Sequence, residues 1–332
     1  MPMSIAKAAD LTVVGWGGSY QDSQKKAYFE PFAKETGVNI KEDSWSGEIA
    51  KIRAMVETKS ITWNVIDADS RTAVQGCNEG VFETIDWTKL GVDRSKLITA
   101  DKYDCAVPTI FYSQIVAYDS DKTKSGPQTI ADLFDLKKFP GKRGLQKNPF
   151  LNLEWALIAD GVAAKDVYKV LRTQEGVDRA FKKLDTIKSD VVWWESSAQP
   201  AQLLADGQVV MTSAYNGRIA DANKKEGKHF GILWDAQGLD SDLWIIPKGS
   251  PNLDEAYKFL AFASSPKAQA EQTRYISYGP ANQDAVQFVD PAITATLPTA
   301  PDHMGDAILV DADFWGEMGD QLRTRFTAWL AQ

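Results

Sequence analysis

The alternation of short apolar runs with amphipathic stretches is the feature that most limits the fold of this chain. An apolar run at 11–16 leads through glycines into a helical stretch that ends at Gly37. Two further strands are predicted, at 37–45 and 63–69, with a helical stretch at 46–60 between them. This pattern predicts an α/β protein with a parallel sheet that is covered by helices on both faces.

The second part of the chain repeats the α/β pattern. It begins after a long apolar run at 105–119, which we expect to form two strands with a break near Tyr112. Further strands and helices are predicted at 141–146, 153–161, 207–215, 242–249, 253–265 and 266–275. The last helix follows Asp311 and carries an apolar stripe that we expect to be buried. Because 332 residues exceed the usual size of one core, two α/β units are expected.

Charge and hydropathy limit the partners of the chain. The net charge is −8 and the basic residues are scattered, which argues against nucleic acid as the main partner. No segment reaches the ~18–20 apolar residues of a membrane helix. Residues 1–10 resemble an added start followed by the stub that remains after signal-peptide removal, so a periplasmic location is expected.

The cysteines and histidines argue against a metal centre. The two cysteines, Cys77 and Cys105, form no CxxC motif, and the only histidines are His229 and His303. We therefore expect no metal and no cofactor. In an exported protein the two cysteines are expected to form one disulfide, and two buried free thiols are the alternative.

The segment GWGGSY at 15–20 raises the question of a nucleotide site. A dinucleotide fingerprint requires glycine or alanine where this chain has Tyr20, and a Walker loop requires a Gly-Lys-Ser/Thr that is missing. Trp16 and Tyr20 are instead predicted to line a pocket at the end of a strand, where aromatic faces attract ammonium groups. The alternative is that both rings belong to the core.

Catalysis is poorly supported by the sequence. The two histidines lie in dissimilar contexts, and no two carboxylates are marked as a catalytic pair. A binding protein is therefore favoured over an enzyme, with a nucleotide-dependent dehydrogenase or transferase as the rival hypothesis.

Landmark segments run through nearly the full length: LTVVGWGGSY, VIDADS, AVPTIFYSQIVAYD, WWESSAQPAQLLADGQVVMTSAYNGR, DLWIIPKGSPNLDEAYKFLAF and YGPANQDA. They resemble the extracytoplasmic solute-binding proteins of ABC importers, of the spermidine/putrescine type. The resemblance implies a type II periplasmic-binding-protein fold, with two α/β lobes on a two-crossing hinge that close on a ligand in the cleft. Lobe 1 would comprise 11–115 and 243–288, and lobe 2 would comprise 116–242 and 289–332. A monomer that delivers its ligand to a membrane permease is implied.

The resemblance also implies a set of ligand-binding residues. Trp16 and Tyr20 match aromatic wall residues, Tyr215 matches a pocket tryptophan, Asp242 matches an amine-binding aspartate and Tyr278 matches a pocket tyrosine. The predicted set also contains Asp69, Tyr112, Arg218 and Asp240. Asp240 competes with Asp242 for the amine contact, and a turn-capping role is the alternative for Asp242.

Two departures from the polyamine pattern indicate a different ligand. Where the polyamine binders place acids, this chain has Gln146-Lys147-Asn148-Pro149, and it has Arg218 beside the matched wall position. A guanidinium suits a carboxylate and repels an ammonium. The predicted ligand therefore has an amine and a carboxylate, as in 4-aminobutyrate (GABA). A polyamine such as putrescine or spermidine is the alternative, in which case Arg218 would form a surface or interlobe salt bridge.

Overall fold

The computed structural model describes residues 10–123 and 125–332. The chain divides into two units. The first unit comprises the chain up to Phe111 together with Ser241–Thr294, and the second unit comprises Tyr112–Asp240 together with Ala295–Gln332. The leader remnant expected in residues 1–10 lies, except for Asp10, outside the described residues.

Helices and strands alternate along most of the chain. The first unit begins with β1 (Asp10–Gly15), α1 (Gly18–Gln24), a π-helical turn (Lys25–Phe29), α2 (Glu30–Thr36), β2 (Asn39–Ser44), α3 (Ile49–Glu57), β3 (Val65–Asp69), α4 (Ser70–Glu79) and α5 (Trp87–Leu90). The chain continues through β4 (Ala106–Asp119) into the second unit, with β5 (Arg143–Gln146), α6 (Asn152–Ala159), α7 (Val167–Leu171), α8 (Gln174–Asp185), β6 (Val191–Trp194), α9 (Gln199–Ala205), β7 (Met211–Tyr215) and α10 (Asn216–Glu226). It returns through β8 (Phe230–Ile245) to α11 (Leu253–Ala263), α12 (Pro266–Thr273), β9 (Gly279–Pro280) and α13 (Pro291–Thr294), and ends in the second unit with β10 (Ile308–Leu309) and α14 (Ala312–Leu330). In the part of the chain that the structure describes, no helix has the length and apolar character needed to cross a membrane.

The first unit is built on a mixed sheet. Strand β1 pairs in parallel with β2 and β3, and β3 pairs antiparallel with the end of β8. The helical stretch predicted before Gly37 is present, and Gly37 ends it in the left-handed conformation that glycine adopts without steric cost. Buried aromatic and aliphatic side chains from α2, β1 and α11 form the core beneath this sheet, including Phe32, Leu11 and Phe259.

The second unit has its own core and its own set of paired strands. Strand β5 pairs in parallel with β6 and β7, and β7 pairs antiparallel with β4. The apolar stripe predicted for the last helix is confirmed, because α14 packs into the core with buried Phe314, Trp315, Leu322, Phe326 and Trp329. Met318 is only partly buried.

Two sequence-based expectations about strands are wrong. The run at 105–119 forms one continuous strand, β4, and not two strands. Its partner changes near the predicted break, because residues 110–111 pair with β9 and residues 114–118 pair with β7. The sheet is also mixed where a parallel one was expected. Apolar periodicity identifies a strand, but the direction of its neighbour depends on pairing between distant segments.

The two cysteines are bonded. The Cys77–Cys105 disulfide joins α4 to the segment before β4, with the two Cα atoms 5.8 Å apart. The bond closes a separation of 28 residues, for which chain-entropy arguments give a stabilisation of roughly 3.5 kcal/mol.

Removal of this bond is expected to destabilise the protein. The variant with Cys77→Ser and Cys105→Ser should lose roughly 3.5 kcal/mol of unfolding free energy, because the unfolded chain regains the entropy that the bond removes. Denaturant titration measures this loss, and the wild-type chain under reducing conditions should show the same decrease. Equal stability of oxidised wild type and variant would contradict the prediction.

Candidate functional site

The first unit gathers three acidic residues at one edge of its sheet. Strands β1 and β3 are parallel, so their carboxyl ends meet at the same edge, where open α/β sheets bind ligands. Asp67 and Asp69 lie at the end of β3 and point to the same face because strand side chains alternate. The antiparallel register places Asp242 of β8 opposite Asp69. We call Asp67, Asp69 and Asp242 the acidic cluster.

Asp67 is the centre of a buried hydrogen-bond network. Its side chain has no exposed surface. The Tyr20 hydroxyl donates to Asp67 Oδ2 at 2.6 Å, and Gln24 Nε2 donates to the same oxygen. Trp16 Nε1 donates to Asp67 Oδ1 at 3.3 Å, and Asp242 lies within hydrogen-bonding reach. The two aromatic residues predicted from GWGGSY are thus brought together by an acid that the sequence analysis did not select.

Burial changes the protonation of this network. It raises the pKa of Asp67 to about 7, although hydrogen bonds from Tyr20, Gln24, Trp16 and Asp242 act in the opposite direction. Burial also raises the pKa of Tyr20 well above its ordinary value, and the charges of Asp67 and Asp242 add to this shift. Tyr20 therefore remains a hydroxyl donor at physiological pH.

Asp69 is already engaged by its own surroundings. Its carboxylate accepts the Thr72 backbone N–H at 2.8 Å and so caps the start of α4, and it forms a salt bridge with Arg71. Arg71 therefore balances the charge of Asp69.

Aromatic rings surround the acidic cluster. The Tyr278 ring packs edge-on against Tyr20, with the ring centroids 5.2 Å apart. Trp16 is half-buried and packs against Trp45, also with centroids 5.2 Å apart. Tyr20 and Tyr278 are almost fully buried. Three predicted wall residues, Trp16, Tyr20 and Tyr278, therefore lie in one part of the first unit.

The glycines of GWGGSY serve close packing and a tight turn. A side chain at Gly15 would place its Cβ 2.9 Å from Gln24 Oε1. Gly17 has a φ of +65°, and its backbone N–H donates to Gln21 Oε1 at 3.0 Å. Because Gln21 occupies this amide, the Gly17 N–H is not part of an open array of backbone N–H groups of the kind that cradles a phosphate.

The second unit holds the other predicted aromatic and acidic residues. The Tyr112 hydroxyl donates to Asp240 Oδ2 at 2.9 Å, and both side chains are buried. The Tyr112 ring packs edge-on against Tyr215, with centroids 5.6 Å apart, and Tyr215 also contacts Trp194. Asp240 and Asp242, which compete for the amine contact, therefore lie in different units.

Arg218 lies at the start of a helix that directly follows a strand. Tyr215 ends β7, and Arg218 is in the first turn of α10, half-buried. This turn contains no acidic residue. The positive end of the helix dipole and the guanidinium therefore favour an anion at this place.

The segment that replaces the acids of the polyamine binders makes one neutral hydrogen bond and one exposed ion pair. Gln114 Nε2 donates to Gln146 Oε1 at 3.3 Å, and Lys147 pairs with the exposed Glu195. The next acid along the chain, Glu154, is fully buried and accepts a hydrogen bond from Trp315 Nε1 at 2.9 Å. Glu154 thus belongs to the core of the second unit.

Sequence reasoning missed Asp67 and Gln24. The signal for Asp67 was its position two residues before Asp69, which places both acids on one face of β3. Gln24 gave no distinct signal, because a polar residue at this spacing is typical of an exposed helix face.

Comparisons with known proteins cover nearly the whole chain. A family model described as bacterial extracellular solute-binding protein matches residues 27–301. A gamma-aminobutyric acid-binding protein of Pseudomonas aeruginosa is 43% identical over 327 residues, which cover 98% of this chain and 92% of that protein.

Solved structures show the same fold. The Atu4243 GABA receptor is 36% identical, with a TM-score of 0.86, and the match covers 97% of this chain and 98% of that one. The periplasmic binding protein AgtB of Agrobacterium tumefaciens R10, in complex with agropinic acid, is 33% identical, with a TM-score of 0.88. That match covers 98% of this chain and 100% of that one.

Proposed function

Because the chain belongs to the bacterial extracellular solute-binding protein family, we propose that it captures GABA and delivers it to an ABC permease in the membrane. The protein acts in the periplasm as a monomeric receptor, and it catalyses no reaction. We assign the two units to the two lobes that the family resemblance implies.

The presence of opposite charges on the two units carries the proposal. The acidic cluster and its aromatic rings lie in the first unit, whereas Arg218 lies in the second unit at the start of α10. An ω-amino acid has the matching ends, an ammonium group and a carboxylate. We assign the ammonium to Asp67 and Asp242 and the carboxylate to Arg218.

The chemistry of each end supports this assignment. Tyr20, Tyr278 and Trp16 provide ring faces beside the acids, and each cation–π contact contributes ~0.5–2 kcal/mol depending on desolvation. A guanidinium binds a carboxylate through two parallel hydrogen bonds. A buried charge is tolerated only when it is paired, so a zwitterion requires a partner at both ends. GABA is also the ligand that gives two of the matched proteins their names.

Polyamines fit the second unit less well. A second ammonium group would face Arg218, and the segment from Gln146 to Asn148 carries no carboxylate to hold it. We therefore expect the diamine putrescine to bind much more weakly than GABA.

A thermal-shift experiment tests the proposal. GABA at about 100 times its dissociation constant is expected to stabilise the ligand-free protein by ~2.7 kcal/mol and to raise its melting temperature by several degrees. Putrescine, agropinic acid and ATP at the same concentration serve as comparison ligands. A larger increase in melting temperature with putrescine than with GABA would support the polyamine alternative. A larger increase with agropinic acid would indicate that agropinic acid, and not GABA, is the ligand. An increase with ATP alone would favour a nucleotide-dependent enzyme.

A further inference from the structure

A glutamine ends the middle one of three parallel strands in the second unit. Strand β5 pairs in parallel with β6 on one side and with β7 on the other, and Gln146 is its last residue. The carboxyl ends of the three strands therefore meet at one edge, where open α/β sheets bind ligands. Arg218 lies in the first turn of α10, which directly follows β7 at this edge. Gln146 is half-buried, so part of its side chain is open to a ligand there.

Hydrogen bonds fix three of the four polar groups of Gln146. Its backbone N–H donates to Ser213 Oγ at 3.1 Å, and its backbone carbonyl accepts from Asn152 Nδ2 at 2.8 Å. Its side-chain Oε1 accepts from Gln114 Nε2 at 3.3 Å. The three partners are at most 1% exposed, so the interior of the unit holds the glutamine in place.

The remaining polar group of Gln146 is Nε2, with its two N–H donors. In residues 10–123 and 125–332, no group accepts a hydrogen bond from this nitrogen. Because Gln114 donates to Oε1, the end of the carboxamide that is left for a ligand is a donor. Such a donor binds a carboxylate oxygen, whereas an ammonium group has only donors and cannot use it.

Two contacts connect Gln146 with the end of β7. Its N–H binds Ser213, which lies two residues before Tyr215, the last residue of β7. Gln114, which holds the side chain, is opposite Tyr215 in the register of β4 and β7. Since α10 follows β7 directly, the carboxamide and Arg218 belong to the same end of these strands.

We propose that Gln146 determines ligand specificity in the second unit: its Nε2 donates to the ligand's carboxylate together with Arg218. The inference rests on the proposed function, because it takes the ligand to have a carboxylate at this end. The two oxygens of a carboxylate accept several hydrogen bonds, so the guanidinium and the carboxamide bind it at the same time. Two residues then act against a diamine, because Arg218 repels its second ammonium group and Gln146 leaves that group without an acceptor.

Titration of variants with GABA and with putrescine tests the inference. Gln146→Met removes the hydrogen bond to the carboxylate, so GABA affinity should fall about tenfold, while putrescine affinity stays within about threefold of wild type. Gln146→Glu keeps the shape but replaces the donor with a negative charge. GABA affinity should therefore fall more than in Gln146→Met, and putrescine affinity should rise about tenfold or more above that of wild type.

Gln208→Glu is the matched control. Gln208 is exposed and precedes the amino end of β7, so this variant adds the same charge away from the edge that carries Gln146. Solvent and salt screen an exposed charge, and both affinities should stay unchanged.

Opposite changes for the two ligands distinguish a specificity role from damage to the fold, which would weaken the binding of both ligands. If Gln146→Met and Gln146→Glu bind GABA as wild type does, the inference is overturned and the proposed function stands. A loss of affinity for GABA and putrescine alike in Gln146→Glu has the same meaning. If the wild-type chain binds no GABA, the proposed function is contradicted and the inference falls with it.

Discussion

Replacement of Arg218 with methionine is expected to weaken GABA binding by more than ~100-fold. In the proposed complex, the ligand carboxylate is buried against the guanidinium, so the variant leaves a buried charge without its partner. Breaking a buried ion pair in this way costs roughly 3–5 kcal/mol, and each 1.4 kcal/mol corresponds to tenfold in affinity. Methionine retains most of the length and apolar contact of the arginine side chain, so the change reports mainly on charge and hydrogen bonding.

Two further variants show whether the effect is specific to the guanidinium of Arg218. Arg218→Lys keeps the charge but loses the planar fork, so an intermediate loss is expected. Arg274→Met removes an exposed arginine that pairs with Glu271 at the end of α12, and GABA affinity should stay unchanged. Unchanged GABA affinity in Arg218→Met would contradict the assignment of the carboxylate to this residue.

Replacement of Asp242 with asparagine is the second large expected effect. The amide keeps the shape of the side chain but removes the charge that faces the ligand ammonium. Removing one partner of a buried charge pair costs about 2–5 kcal/mol, so GABA affinity should fall by at least ~30-fold. Asp67 retains a carboxyl group at the same place, and we therefore expect the double variant Asp67→Asn with Asp242→Asn to bind more weakly than either single variant.

Asp240→Asn is the matched control, because Asp240 is the competing acid. Its carboxylate accepts the Tyr112 hydroxyl in the second unit, and it is as buried as Asp242. Titration of both variants with GABA compares the two acids directly. A larger loss of affinity in Asp240→Asn than in Asp242→Asn would move the amine contact from the acidic cluster to Asp240.

Most of the order of helices and strands could be predicted from the sequence, because the spacing of apolar residues indicates which face of a helix or strand is buried. The run at 11–16, the helical stretch that ends at Gly37 and the stripe of α14 all have counterparts in the structure. The family resemblance and the type II fold that it implied are confirmed by the matches to known proteins. The antiparallel direction of β8 could not be predicted, because its pairing with β3 joins segments about 180 residues apart in the sequence.

The residues of the candidate site could be predicted only in part from the sequence. Trp16 and Tyr20 stood out because they flank glycines at a strand end, and Asp242 and Tyr278 came from the resemblance. Asp67 was missed because its spacing from Asp69 shows only that both acids lie on one face of β3, and does not show what that face contacts. Its partners come from α1, the loop before it and β8, and only folding brings these segments to the end of β3.

The cysteine pair illustrates a similar limit. The spacing of Cys77 and Cys105 in the sequence did not distinguish a disulfide from two free thiols, because spacing does not determine the distance between the two Cβ atoms. In the structure α4 lies beside the segment before β4, and the two cysteines form a disulfide.

Isothermal titration of the ligand-stripped protein with GABA at pH 7.5, with putrescine in a parallel run, tests the central claim most directly. We predict saturable GABA binding with one site for each chain, and at least ~100-fold weaker binding of putrescine because its second ammonium would face Arg218. Tight putrescine binding without GABA binding would contradict the claim. It would mean that Arg218 does not contact the ligand and that the site has the diamine chemistry of the polyamine binders.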